Sequence, residues 1–242
     1  DMVLQQATES QIKEIRMSAW NTLAQIAQPS SLSKLFKSFD NRNDRGELKA
    51  IGNVIQSMVN RSANKKELLS KVGQNIARVS TEKQEQYLGL FPGMGSKEAL
   101  STLMDVYADG SPQLRMEVVR TLNQWNNAWA FESLSTIIQK EDEQRIRDEA
   151  FEGALNLVSG SRETEAQKLL YYRELMSHVA SASKKKEVLK EMGNISTFPA
   201  LAYCAEYLDK PGLNTAAAKA MANIVAAQDK PDKGMTGKYV YD

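Results

Sequence analysis

The sequence predicts an all-α fold, a right-handed α–α superhelix of about six helix pairs. Three observations support this prediction. An apolar pattern recurs at about the length of one helix pair, and the apolar residues inside each segment follow the 3.6-residue period of an amphipathic helix. No stretch shows the sustained apolar/polar alternation of a strand. The 6 prolines in 242 residues leave room for uninterrupted helices.

The recurring unit is an apolar residue followed three positions later by a second apolar residue, near the start of a helix. The first members of successive pairs lie 37, 31, 31, 38 and 32 residues apart, a period that suits two helices and two short turns. The six pairs are Leu32 and Leu35, Leu69 and Val72, Leu100 and Leu103, Phe131 and Leu134, Leu169 and Tyr172, and Leu201 and Cys204.

A second apolar stripe follows the first in most units and predicts the second helix of each pair. Leu114, Val118 and Leu122 lie four residues apart, and Ser111 followed by Pro112 predicts an N-cap with proline in the first turn. We predict thirteen helices, near 9–27, 30–39, 44–59, 63–78, 81–91, 96–107, 112–124, 128–140, 143–158, 163–179, 182–192, 197–208 and 211–226.

These helices predict one elongated domain over residues 1–226. The first helix reads as the second member of a pair whose partner is missing. Residues 227–242 lose the period and are interpreted as an irregular tail, or a linker towards a C-terminal domain that lies outside this chain. No apolar run reaches the length of a membrane span.

Two segments resemble the second-helix signature of HEAT repeats, which is a turn, then an aliphatic residue and arginine, then a small apolar residue. They are the stretch from Ser111 to Val118, with Leu114-Arg115, and the stretch from Asp142 to Leu155, with Ile146-Arg147. The resemblance covers most of residues 30–226 and implies an armadillo-type α-solenoid, a class of scaffold that mainly binds proteins.

The stretch from Glu191 to Leu201, with Tyr207 to Pro211 and Ala216 to Ile224, is similar to a narrower group. It resembles the HEAT segment of bacterial envelope proteins that carry a C-terminal β-sandwich of the sugar-hydrolase class (DUF1080, 3-keto-disaccharide hydrolase). This resemblance implies a periplasmic or cell-surface location, with a cytoplasmic one expected otherwise. It also implies a carbohydrate contacted through the linked domain.

Composition narrows the chemistry that we expect. With one cysteine, Cys204, and one histidine, His178, the chain has no two-histidine metal site and no internal disulfide. His178 is interpreted as a structural residue near a helix C-terminus. The net charge of +1 disfavours a nucleic-acid partner. We therefore predict no catalytic residue, cofactor or metal site, and a segment that is not an enzyme.

A surface for a binding partner is predicted from five residues. Arg115 and Arg147 occupy equivalent repeat positions and suit either a basic ladder for an acidic partner or an inter-repeat ladder paired with neighbouring acids. Trp125, Trp129 and Tyr171 suit either core packing or, if exposed, the anchoring of a partner.

Three functions follow from these features. The leading hypothesis is a module for protein interaction or scaffolding, with a protein or the covalently linked domain as partner. The second is the accessory domain of a carbohydrate-active enzyme. The third is a HEAT-like DNA-binding protein of the alkylpurine glycosylase type, for which Trp20, Trp125 and Trp129 supply aromatic rings but the charge supplies little affinity.

Overall fold

The fold is known from a computed structural model that describes residues 2–125 and 127–227. Over these residues the chain consists of α-helices and short 3-10 turns, with no strand. It divides into two compact units, Asp1–Trp125 and Asn126–Asp242, which we call unit 1 and unit 2. The predicted all-α class is confirmed. The single domain predicted over residues 1–226 stays a prediction, and residues 228–242 of the predicted tail lie outside the described part.

Unit 1 consists of helical hairpins in which each helix packs against the next one along the chain. The hairpins are α1–α2, α3–α4, α5–α6 and α8–α9, with the short α7 packed between α4 and α8. The helices are α1 (Met2–Glu9), α2 (Lys13–Ile26), α3 (Leu32–Asp40), α4 (Arg45–Arg61), α5 (Lys65–Ile76), α6 (Thr81–Leu88), α7 (Phe91–Met94), α8 (Lys97–Ala108) and α9 (Pro112–Leu122).

Unit 2 repeats the same construction in three hairpins, α10–α11, α12–α13 and α14–α15. First helices pack on first helices, as α10 does on α12, and second helices pack on second helices, as α13 does on α15. The helices are α10 (Phe131–Lys140), α11 (Gln144–Gly160), α12 (Glu165–His178), α13 (Ala182–Met192), α14 (Phe198–Ala205) and α15 (Asn214–Ala226).

The beginning of the chain differs from the prediction of one helix over 9–27 without a partner. There are two helices, and α1 packs on α2 to complete the first hairpin. The break occurs because the Ser10 hydroxyl accepts a hydrogen bond from the Ile12 backbone N–H at 3.2 Å, a local bond that competes with helix formation. The Arg16 guanidinium donates to the Ser10 carbonyl at 2.9 Å and holds the turn.

The helix predicted over 81–91 is also divided, into α6 and α7. Pro92 lies in the first turn of α7, where its missing N–H costs no hydrogen bond. Gly95 ends α7 with a φ of 52°, a left-handed conformation that glycine adopts without strain. Gly93 and Met94 therefore belong to α7, and Gly95 begins the turn that leads to α8.

The twelve residues of the six recurring apolar pairs, which we call the repeat frame, lie in the core. All twelve frame residues, from Leu32 to Cys204, are at most 7% exposed. Each fully buried Leu, Ile, Val or Phe side chain contributes about 1.5–3 kcal/mol relative to exposure, so the frame is a major source of stability. The largest buried side chains are Trp20, Phe39, Tyr87 and Phe91 in unit 1, and Phe131, Phe151 and Tyr172 in unit 2.

Helix starts follow the local chemistry of the sequence. The Ser111 hydroxyl accepts from the Leu114 N–H at 3.3 Å, and Pro112 opens α9, as predicted. Asp44 caps α4 through the Glu47 N–H at 3.0 Å, at the end of the short turn 41–44 that connects α3 to α4.

Side-chain hydrogen bonds between hairpins span one repeat. The Arg16–Glu47 pair lies 31 residues apart in sequence, Gln56 donates to the Leu90 carbonyl 34 residues on, and Ser135 donates to Glu174, 39 residues on. These separations match the period read from the apolar pattern. No helix in the described ranges is both long enough and apolar enough to cross a membrane.

Candidate functional site

Unit 2 carries an apolar surface groove of about 680 Å³ between α12 and the start of α14. We call it the α12–α14 groove. Thr164, Glu165, Ala166, Leu169, Leu170 and Arg173 line it from α12 and its cap, and Thr197 and Pro199 line it from the start of α14. Its position follows from the hairpin stacking, because both walls come from first helices of successive hairpins.

Local sequence chemistry builds both walls. The Thr164 hydroxyl caps α12 by accepting from the Gln167 N–H at 3.2 Å. Pro199 lies in the first turn of α14. Leu169 faces inward and is 5% exposed, whereas the next residue, Leu170, is 54% exposed. Phe198, beside Pro199, is 41% exposed. One large exposed apolar side chain, Leu170, therefore lines the groove, and a second, Phe198, lies next to two lining residues in the sequence.

The groove has few polar atoms, and they differ in the contacts that they make. The Arg173 guanidinium lies 5.0 Å from the ring centroid of Tyr203, a cation–π contact that holds it at the edge. The hydroxyls of Tyr203 and Tyr207 lie 3.0 Å apart, and burial raises the pKa of Tyr203 above its usual range. Arg173 is thus positioned to meet an acceptor on a bound molecule.

Thr197 contributes a hydroxyl without a partner. Its side chain makes no cap hydrogen bond to α14, and its Oγ1 is buried with no hydrogen-bond partner among the described residues.

The predicted surface residues fall into different environments. Trp125 is 5% exposed and Trp20 is fully buried, so neither ring is open to a base or a partner, whereas Trp129 is 50% exposed. Tyr171 is half-buried, and its ring packs against that of Phe131 with centroids 4.4 Å apart.

The two repeat arginines make local contacts. Arg115, in unit 1, is half-buried and lies 5.9 Å from the Tyr107 ring. Arg147, in unit 2, donates to the Asp142 carbonyl at 2.8 Å and to the Gln144 side chain at 2.6 Å. The contacts of Arg147 hold the loop before its own helix. A partner role for these five residues stays a prediction.

His178 is the last residue of α12, as the sequence indicates. It hydrogen bonds with Gln139, and its Nε2 lies 3.7 Å from a Glu174 carboxylate oxygen. In residues 2–125 and 127–227 no group of three or more His, Cys, Asp or Glu side chains is arranged to hold a metal ion.

The groove residues Leu170, Phe198, Thr197 and Arg173 were not singled out from the sequence. The signal that would find them is weak. Leu169 and Leu170 are adjacent leucines. Leu169 belongs to the repeat frame and is buried, so Leu170 is an apolar residue on the surface.

Comparison with known proteins yields similarity in structure only. No protein-family model matches the sequence, and no curated protein matches it. The chain is 18% identical to human deoxyhypusine hydroxylase, solved in complex with glycerol, covering 96% of this chain and 90% of that one with a TM-score of 0.37. It is 12% identical to an engineered protein, covering 93% of this chain and 97% of that one with a TM-score of 0.33.

These comparisons correct one expectation. The prediction that this segment is not an enzyme is contradicted, since one of the solved chains that it resembles is, by its name, a hydroxylase. Likeness at this identity concerns the fold alone and transfers no activity. The HEAT-like helical architecture stands, and the resemblance of residues 191–224 to envelope proteins with a sugar-hydrolase domain stays a prediction.

Proposed function

We propose that this chain is a protein-interaction module that binds an apolar segment of a partner polypeptide in the α12–α14 groove. The observation that carries the proposal is the exposure of Leu170, which lines an apolar depression of about 680 Å³. Exposed apolar side chains that cluster around a depression are typical of binding surfaces, whereas scattered ones are not.

The chemistry of the groove favours a polypeptide over a sugar. Aliphatic side chains and proline make most of its surface, and covering them removes apolar area from water at about 25 cal/mol per Å². A sugar requires many directed hydrogen bonds, which this lining offers sparsely. A polypeptide supplies apolar side chains for Leu170, and backbone carbonyls that can accept from Arg173.

A random peptide library displayed on phage, panned on the purified chain, tests this function. Selected peptides are synthesised with a fluorescent label and titrated by fluorescence anisotropy. We expect the selected peptides to share an apolar motif. We expect Leu170→Glu to weaken their binding at least about tenfold, because truncating or charging a central apolar contact typically costs more than 1 kcal/mol.

The matched control is Leu208→Glu, which places the same charge on another exposed leucine of unit 2, 38% exposed, that does not line the groove. It should bind the selected peptides as the unchanged chain does. Far-UV circular dichroism confirms that both variants are folded. Equal binding by the Leu170→Glu variant and the unchanged chain, or a selection without apolar motifs, would exclude the groove as the binding site.

A further inference from the structure

Unit 1 carries a basic surface around α3, whereas the α12–α14 groove of unit 2 is apolar. A cleft of about 660 Å³ lies between α1 and α3, and its charged lining is Glu9, Lys34, Lys37 and Arg42. Lys34 and Lys37 are exposed, lie one turn apart on α3, and form no ion pair with any described residue. Arg42 is partly neutralised, since its Nη1 lies 3.7 Å from a Glu47 carboxylate oxygen.

A second cleft, of about 410 Å³, flanks the other side of α3. Its charged lining is Lys71 and Arg78, accompanied by the hydroxyls of Ser30 and Ser33. Lys71 pairs with Glu67 at 2.6 Å, whereas Arg78 has no ion pair within the described residues.

Together the two clefts hold five cationic side chains and one acidic side chain, Glu9, on a chain whose net charge is +1. The positive charge is therefore concentrated around α3. Three of the five cations, Lys34, Lys37 and Arg78, lack an acidic partner in the described structure and are available to a ligand. We call these two clefts the α3 basic surface.

We infer that the α3 basic surface binds an acidic segment of a polypeptide, with carboxylates entering the clefts on both sides of α3. A helix with its side chains is about 10–12 Å wide, and an extended chain rises about 3.3 Å per residue, so carboxylates about three to four residues apart reach both clefts. The serine hydroxyls add hydrogen-bond donors for the same oxygens.

The alternative polyanion, a nucleic acid, fits the surface less well. Duplex binding typically neutralises about 6–10 phosphates, more than three unpaired cations supply. Single strands also stack their bases on exposed rings. Phe36, the aromatic residue in the second cleft, is half-buried and packs edge-on against Tyr87 with centroids 5.8 Å apart. Its ring is therefore only partly open to a base.

The test uses a fluorescein-labelled peptide of alternating Glu and Ser, the same peptide with Gln in place of Glu, and a labelled oligothymidine. Binding to the full chain is followed by anisotropy at low and at moderate salt. We expect the Glu peptide to bind and the Gln peptide to fail. Affinity for the Glu peptide should fall steeply with salt, because the Debye length shrinks to about 10 Å at 0.1 M.

Two double charge reversals separate this site from a general charge effect. Lys34→Glu with Lys37→Glu should weaken binding of the Glu peptide at least about tenfold, because two attractive charges become repulsive. The control, Lys186→Glu with Lys190→Glu, makes the same change in net charge at two exposed positions of α13 in unit 2 and should bind normally. The Leu170→Glu variant should also bind the Glu peptide normally. The proposal for this site and the proposal for the α12–α14 groove are therefore tested independently.

Three results would overturn the inference. Equal weakening by both double variants would reduce the effect to net charge. Tighter binding of oligothymidine than of the Glu peptide would assign the surface to nucleic acid. Absence of Glu-peptide binding at low salt would remove the site altogether.

Discussion

In each unit an ion pair of similar sequence span connects the second helices of successive hairpins, and these two pairs differ in burial. In unit 1, Arg16 on α2 pairs with Glu47 on α4, 31 residues away, and the Glu47 side chain is 3% exposed. In unit 2, Lys184 on α13 pairs with Asp148 on α11, 36 residues away, and the Asp148 side chain is 40% exposed.

The surroundings of the two carboxylates differ accordingly. Glu47 accepts from Arg16 Nε at 2.6 Å and from Nη2 at 3.3 Å, with Arg42 at 3.7 Å. These contacts, the Arg16 hydrogen bond foremost, hold the pKa of Glu47 below its ordinary value although burial opposes them. Asp148 accepts hydrogen bonds from Lys184 and from Gln144. These bonds lower the pKa of Asp148, as the Arg16 bond does for Glu47.

Burial decides what the same contact contributes. Removing one partner of a buried pair leaves an uncompensated charge in a poorly solvated site, which costs several kcal/mol. An exposed pair is screened by water and salt and contributes little. We therefore expect the hairpins of unit 1 to depend on an ion pair, and those of unit 2 to depend on apolar packing.

The largest effect is expected from Phe151→Ala in unit 2. Phe151 is fully buried on α11, and its loss should reduce the free energy of unfolding by about 4 kcal/mol through lost burial and the cavity left behind. Urea unfolding followed by far-UV circular dichroism measures the change. Leu170→Ala, at an exposed position, is the control and should stay within about 0.5 kcal/mol. A small effect at Phe151 would contradict the apolar basis of unit 2.

Next in size is Glu47→Gln in unit 1, with an expected loss of about 3 kcal/mol at pH 7, because Arg16 and Arg42 lose their carboxylate partner. The folded-state pKa of Glu47 is lowered, so its stabilisation is present above its ordinary pKa of 4.5 and is lost as pH falls below that value.

The gap in unfolding free energy between the Glu47→Gln variant and the unchanged chain should therefore shrink on acidification. Unfolding curves collected from pH 7 down to about pH 3 measure this gap. A gap that stayed constant over that range would show that Glu47 acts through packing and not through its charge.

The smallest effect is expected from Asp148→Asn in unit 2. Since its carboxylate is 40% exposed, the loss should be about 0.5 kcal/mol and should decrease further on addition of salt. The same unfolding assay at low and high salt measures it. A loss as large as that of Glu47→Gln would mean that burial does not separate the two ion pairs.

Much of the fold was predictable from the sequence because its signal is local. The helix-pair period places all twelve frame residues in the core, and caps such as Ser111 and Asp44 depend on residues within one turn. The misplaced boundaries lie at Ser10 and near Pro92, where a side-chain bond or a proline interrupts an otherwise helical pattern.

The candidate sites were less predictable because they depend on residues about thirty positions apart. Leu170 meets Pro199 at one groove, and Lys34 meets Thr8 at one cleft, only because first helices lie beside their neighbours. An argument from net charge averaged over the whole chain also hides the five cations gathered around α3.

The sequence by itself determined that the chain is helical, that its helices come in pairs, and that the twelve frame residues are buried. These properties follow from the 3.6-residue period and from capping, which involve near neighbours. Only the tertiary structure decided which exposed residues share a surface and which ion pair is shielded from water. Those properties depend on the distance between hairpins and on solvent access, which neighbouring residues along the chain do not encode.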